Sequence, residues 1–279
     1  MTDPVSAQMF VLLWKWRLLI LLLLIGWGGW AFLRSIETML LFPAPRASAP
    51  LLLPEGSRLE RVKTPVGEVE AILLPALVAG DQPAPLLLYC HGNGNLIDHQ
   101  LKRFDTFRKA GFAVLLAEYP GYGRSQGSPS DRSIEKAVVA IYDWGVQQPE
   151  IDSQTVIGYG RSMGGGAVCL LSKHRPLSAM VLESTYTSIV DAAGDHYGWV
   201  SRFMSNRFDN LSVVTTFDKP ILILHGNQDR LVPIRHAESL HAANPGSEYV
   251  VLPCGHNDCE SSHRHALEFL RQHEFVKSL

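Results

Sequence analysis

Charge of one sign is what this sequence has least of. Its 25 Lys and Arg against 27 Asp and Glu leave a net charge of −2 over 279 residues. That balance excludes a basic nucleic-acid binder and an acidic disordered chain alike. No G-x-x-x-x-G-K-[ST] occurs, and Gly121-Tyr122-Gly123 and Gly158-Tyr159-Gly160 lack the G-x-G-x-x-G spacing, so no nucleotide is implied. There are no repeats and no low-complexity tracts. Cysteine is scarce, four residues in all, which fits an oxidising compartment without demanding one. What is present is apolar: hydrophobic residues are 46% and charged ones 19%, enough for a large core.

That apolar material is unevenly spread. Phe10 to Leu33 is interrupted only by Lys15 and Arg17, with Trp14 and Trp16 near one end and Trp27 and Trp30 near the other. The stretch reads as a transmembrane anchor over 10–33 with aromatic belts, after a tail of residues 1–9. Lys15 and Arg17 place the N-terminus in the cytoplasm and the rest on the periplasmic, extracellular or lumenal side; Arg34 weakens that asymmetry. A cleavable signal peptide has the same outline, but Ala47-Ser48-Ala49 lies far downstream and is followed by Pro50. A buried core helix is a third reading.

Residues 34–57, rich in Pro, Ala and Ser, read as a linker, leaving 58–279 as one domain. Within it, short apolar strands alternate with helical patterns. Strands are expected at Val62–Thr64, Glu68–Leu74, Pro85–Cys90, Ala113–Glu118, Thr155–Tyr159, Ala179–Glu183, Pro220–Leu224 and Tyr249–Leu252. Helices are expected near Gln100–Ala110, Asp131–Gln147, Met163–Lys173, Arg235–Ala243 and within 260–275. This pattern predicts an α/β fold: a mostly parallel sheet of about eight strands with helices on both faces. Ligands of such sheets bind at the carboxyl ends of the strands.

Three loops after strands carry chemistry together. Gly160-Arg161-Ser162-Met163-Gly164, between strand and helix, has the G-x-S-x-G form of a nucleophile elbow; Gly160 and Gly164 are needed because side chains there would clash. By itself it is also a glycine-rich turn with an incidental serine. Asp229 follows the strand ending at Leu224, where it would orient a histidine, although alone it reads better as a turn residue or cap. His256 follows the last strand and would take the proton of Ser162. The order Ser162, Asp229, His256 is more specific than any of its parts. A fourth loop, His91-Gly92-Asn93-Gly94-Asn95, offers the Asn93 backbone N–H beside that of Met163 as an oxyanion site, with Gly92 allowing close approach.

LLLYCHGNGN, EYPGYGRSQG, GYGRSMGGG, LESTYTS, KPILILHGNQDRLVP and PCGHND, over residues 58–275, resemble the landmarks of the α/β-hydrolase superfamily. More narrowly, they resemble a membrane-anchored subgroup filed with serine aminopeptidases and related to eukaryotic depalmitoylases. The resemblance implies the α/β-hydrolase fold, the triad, and a serine hydrolase of esters or thioesters. Glu118-Tyr119-Pro120-Gly121 departs from the Asp-Tyr-Arg-Gly expected there.

No metal or organic cofactor is implied. Cys254, His256, Cys259, His263 and His265 match no zinc spacing. Cys254 and Cys259 either pair across the histidine loop or remain free, while Cys90 and Cys169 read as buried thiols. Arg161 reads as a contact for an acidic substrate group or as a structural partner of carbonyls and carboxylates. Asn210-Leu211-Ser212 is a glycosylation sequon. The insert at about 184–219 reads as a short lid whose aromatics (Tyr186, Tyr197, Trp199, Phe203, Phe208, Phe217) either wall an acyl site or pack on the core. Substrates are thus expected to be small or acylated molecules near a membrane. An aminopeptidase and a non-catalytic scaffold are the rival readings.

Overall fold

The computed structural model describes residues 4–48, 51–78 and 82–276, so that Ala49 and Pro50 of the cleavage-like pattern lie outside the described residues. The chain divides into two units, one ending at Phe42 and one beginning at Pro43.

The first unit is a single helix, α1 (Pro4–Leu41). It continues through Arg34–Leu41, eight residues that the composition assigns to the linker, because no proline intervenes between Pro4 and Pro43 to remove a helical N–H. Its segment Leu13–Leu41 contains an 18-residue window with a mean hydropathy of 1.8 and is long and apolar enough to cross a membrane by length and composition.

The second unit is built on one eight-stranded sheet, in the order β1-β2-β4-β3-β5-β6-β7-β8. The strands are β1 (Arg58–Thr64), β2 (Gly67–Leu74), β3 (Ala84–Cys90), β4 (Ala113–Ala117), β5 (Ile151–Arg161), β6 (Ala179–Glu183), β7 (Ile221–Gly226) and β8 (Glu248–Leu252). β1 and β2 form an antiparallel hairpin and β2 runs antiparallel to β4, whereas β3 to β8 are mutually parallel. The sheet is covered by α2 (Asp105–Lys109), α3 (Asp131–Gly145), α4 (Met163–Ser172), α5 (Ile189–Tyr197), α6 (Asn210–Thr216), α7 (Arg235–Ala243) and α8 (Ser262–Gln272).

Strand alternation decides what each face buries. On one side Leu87, Val114, Leu116, Ile157 and Tyr159 pack with Phe104 and Phe107 near α2 and with Phe269 and Leu270 of α8. On the other, Leu86 and Leu115 meet α3, where Gly145 approaches so closely that a Cβ would lie 2.5 Å from Leu115. Both faces are therefore apolar, and β3, β4, β6 and β7 are buried almost throughout. The helix expected near Gln100–Ala110 is shorter, a 3₁₀ turn at Ile97–Gln100 followed by α2.

Candidate active site

Ser162 stands between β5 and α4 with φ 52° and ψ −118°, a left-handed conformation that costs a non-glycine residue on the order of 1–3 kcal/mol. Its neighbours enforce the turn. A Cβ at Gly160 would lie 2.3 Å from the Gly164 carbonyl oxygen, and one at Gly164 would lie 1.9 Å from that of Cys90. The Ser162 N–H donates to the Glu183 carbonyl at 2.8 Å and its own carbonyl accepts from the Thr185 hydroxyl at 2.7 Å, so both sides of the turn are pinned to the end of β6. Gly165 and Gly166, which the sequence did not single out, let α4 seat against Thr185 and Phe208.

The structure brings Ser162, Asp229 and His256 together from three strand ends. His256 Nε2 lies 3.1 Å from Ser162 Oγ, and Nδ1 lies 2.7 Å from Asp229 Oδ2. Asp229 Oδ1 accepts the backbone N–H groups of Leu231 and Val232 at 2.9 and 2.8 Å. Burial alone would raise the Asp229 carboxyl, but hydrogen bonds from His225, His256 and the Val232 N–H win and hold it well below the ordinary carboxylate range. His225 Nε2 donates to the Val232 carbonyl at 2.8 Å, so it also shapes the Asp229 turn. The Ser162 and Asp229 loops follow the buried carboxyl ends of β5 and β7, whereas the His256 loop follows β8, which is buried only at Leu252.

The loop at Gly92–Asn95 reaches the same point. A Cβ on Gly92 would lie 3.4 Å from Ser162 Cβ, and Met163 opens α4, where N–H groups have no partner within the helix. His91, fully buried, holds the loop: its Nε2 is 2.6 Å from Glu118 Oε1 and its Nδ1 2.9 Å from the Gly92 carbonyl. Glu118 Oε2 accepts from the Ile97 N–H at 3.2 Å, and the Tyr122 hydroxyl donates to Asn93 Oδ1 at 2.6 Å. The Glu118 loop that departs from the expected pattern is thus the support of the His91–Asn95 loop.

Arg161 resolves as a structural partner. Its guanidinium donates to the His256 carbonyl and to Asn257 Oδ1 (2.8 Å), and its Nε faces Glu183 Oε1 at 3.4 Å. Glu183 also receives Arg103 at 3.2 Å and the Tyr159 hydroxyl at 2.5 Å. Burial pushes the Glu183 carboxyl up, yet Arg103, Arg161 and Tyr159 together bring it below its ordinary value. Sequence reasoning missed Glu118 and Glu183. The signal was present: each is a carboxylate ending an uninterrupted apolar strand at the edge where ligands bind.

Cys254 and Cys259 form a disulfide, with Cα atoms 5.3 Å apart, across the turn that carries His256. His263 lies 3.1 Å from Arg103 Nε, and burial followed by the Arg103 charge brings it down to about 4. His265 faces Glu268 at 3.6 Å. Among the described residues no group of His, Cys, Asp and Glu is arranged to hold a metal ion. A polar cavity of about 280 Å³ lies on the Arg103, Glu183 and His263 side of Arg161; Ser162, Asp229 and His256 do not line it. One expectation is corrected. Asn210 is fully buried and donates to the Tyr186 carbonyl at 2.9 Å, so it is no glycosylation acceptor in the folded chain. Of the lid aromatics, Tyr186 and Phe208 are core, whereas Tyr197, Trp199 and Phe203 are more than half exposed.

Residues 81–216 match the family model of hydrolases described as serine aminopeptidase, S33, and residues 191–262 match that of the alpha/beta hydrolase fold. An uncharacterised protein of Mycobacterium tuberculosis is 30% identical over 247 residues, 85% of this chain and 86% of that one. The chain belongs to the α/β-hydrolase family. This hydrolase is also similar to a lysophosphatidylserine lipase of Danio rerio, 28% identical over 179 residues, 56% of this chain but only 46% of the lipase. Its fold is that of a solved alpha-beta hydrolase from Vibrio vulnificus, with a TM-score of 0.70 at 20% identity over 87% of this chain and 92% of that one.

Proposed function

We propose that this hydrolase is a membrane-anchored serine hydrolase that cleaves carboxylic esters or thioesters of lipid-like or acylated substrates. The observation that carries the reading is the unbroken hydrogen-bond chain from Ser162 Oγ through His256 to a carboxylate held ionised, at a strained strand-to-helix turn. In the proposed reaction His256 Nε2 takes the Ser162 proton as Oγ attacks the carbonyl carbon, and Asp229 stabilises the imidazolium. The Met163 and Asn93 N–H groups receive the oxyanion. Collapse expels the alcohol or thiol with the proton from His256, and water activated by His256 then hydrolyses the acyl-enzyme.

The similar lipase supports a lipid ester as substrate. The apolar length of α1 supports the anchor, and the Cys254–Cys259 disulfide supports a domain on the oxidising side of the membrane. The aminopeptidase wording of the family model favours peptide cleavage instead. That would need a carboxylate for the substrate amine, and the buried carboxylates around the site, Glu118, Glu183 and Asp229, each already face a histidine or arginine. Fluorophosphonate labelling of membranes carrying the full chain tests the proposal. Labelling is expected in the wild type and not in Ser162→Ala or His256→Ala; a folded wild type that stays unlabelled overturns it.

A further inference from the structure

The second unit leaves four large apolar side chains open within seven residues: Tyr197 (65% exposed), Trp199 (70%), Val200 (54%) and Phe203 (77%). They belong to the end of α5 and the 3₁₀ turn Gly198–Phe203, with Trp199 and Phe203 rings in edge contact at 5.9 Å. The turn is firmly held despite its exposure. Ser201 is buried with its hydroxyl on the Gly198 carbonyl, His196 Nε2 lies 2.9 Å from the Leu231 carbonyl, and Asp195 pairs with Arg235 and His236. Leu231 is two residues from Asp229, so the apolar turn is fastened beside the Ser162–His256 site. Arg202 and Arg207 are exposed nearby in sequence, and exposed Arg230 adjoins Leu231.

The chain that follows α1 is fastened at the same edge of the sheet. Pro43 lies 3.8 Å from where a Cβ on Gly94 would stand, next to Asn93. Pro45 accepts from the Gly123 N–H at 2.9 Å, and Arg46 donates to the Ser125 carbonyl at 3.0 Å. Tyr122, between these contacts, donates to Asn93. At 3.8 Å per residue, and 1.5 Å per helical residue, the covalent path from Leu33 to Pro43 spans at most about 20 Å. Pro43 can therefore lie no more than about 20 Å along the chain from any bilayer that α1 crosses, and the Pro45–Arg46 segment it leads into is fastened at the carboxyl end of the sheet, the end that also bears the open aromatic turn. Trp, Tyr and Phe interspersed with Arg are the residues that settle at a lipid–water interface and attract anionic headgroups.

We propose that the Tyr197–Phe203 turn rests in the interfacial layer of the bilayer that α1 crosses, so that the Ser162 site takes its ester from the lipid surface rather than from water. The proposal rests on the anchored-hydrolase reading above and adds the face by which the enzyme meets the membrane. It is tested with the full chain in vesicles of phosphatidylcholine and a minority of phosphatidylglycerol, containing a shallow doxyl lipid as quencher. A polarity-sensitive NBD label is placed at Phe203→Cys or, as a control at the opposite edge of the sheet, at Ser153→Cys. The native cysteines do not compete, since Cys90 and Cys169 are buried and Cys254 and Cys259 are paired.

The expected result is blue-shifted emission and several-fold stronger quenching at position 203 than at 153. Equal, water-like emission at both positions in protein that floats with the vesicles overturns the docking face and leaves the hydrolase reading to the fluorophosphonate test. Protein that does not float removes the anchor and this proposal together, again without touching the triad. As a second measurement, Trp199→Ser/Phe203→Ser is expected to raise KM several-fold for a vesicle-borne ester and to leave kcat/KM for a water-soluble p-nitrophenyl ester unchanged. An equal loss on both substrates overturns the proposal.

Discussion

Ser162 combines two demands that pull in opposite directions. The left-handed turn favours glycine, while the chemistry proposed for the site needs a hydroxyl. Ser162→Gly should therefore be inactive and yet more stable, by up to about 1 kcal/mol once the greater freedom of glycine in the unfolded chain offsets part of the strain. Chemical denaturation beside Ser162→Ala, which keeps the strain, checks this. Arg161 acts one step removed, through the His256 carbonyl and Asn257. Its loss should lower kcat by about 10- to 100-fold with little change in KM, because a misplaced base weakens the chemical step more than substrate binding. Arg161→Lys should recover only part, since an ammonium cannot reproduce the fork of donors. A large KM effect would instead point to direct substrate contact.

Among the elements, the turn between β8 and α8 is the one most dependent on added constraint. It is short, largely exposed, and carries His256 at its middle. The Cys254–Cys259 bridge closes a small loop there, worth about 2 kcal/mol on loop-entropy grounds. Cys254→Ser/Cys259→Ser should lose about that much stability, and reductant should lower wild-type activity to the level of the double variant. Identical denaturation curves for wild type and variant would show that the bridge constrains nothing. α4 is the opposite case, an element with no slack. Gly164→Ala would drive a Cβ into the Cys90 carbonyl, and a loss above about 4 kcal/mol, seen as absence of soluble folded protein, is expected.

For the molecule as a whole, acid should act through buried histidines before carboxylates. His236 is brought down to about 4 by burial and then by Arg235, and His263 likewise by burial and Arg103. In the unfolded chain both titrate near 6.5. As pH falls from about 6.5 to 4 the unfolded state takes up protons that the folded state refuses, so stability present above pH 6.5 is lost across that window. Glu183 and Asp229, held below their ordinary values, add a further loss only at lower pH, below about 4. Thermal melts across this range should therefore decline from near pH 6.5, and His263→Gln should flatten the first part of the decline. A melting temperature constant down to pH 4.5 would contradict the linkage.

How much of this was legible in the sequence follows from the range of each interaction. Strand and helix placement, and the β3 to β8 alternation behind the α/β-hydrolase fold, follow from local periodicity, and the structure repeats them with shifts of a few residues at the ends. Glycines flanking Ser162 were legible because a tight turn imposes its sterics on adjacent residues. The extent of α1 beyond Leu33 was not, since composition weighs the Pro and Ser of residues 43–57 while a helix stops only at the first residue that breaks it. Whether Arg161 faces substrate or carbonyl, whether Asn210 is open or buried, and which lid aromatics face water all depend on partners 24 to 96 positions away. So do the couplings of His91 to Glu118 and of the Pro43–Ala47 segment to Gly123. Periodicity and turn chemistry are written in neighbouring residues and so determine elements and their order. Long-range pairing of buried charge depends on how the sheet assembles, and only the tertiary structure decided it.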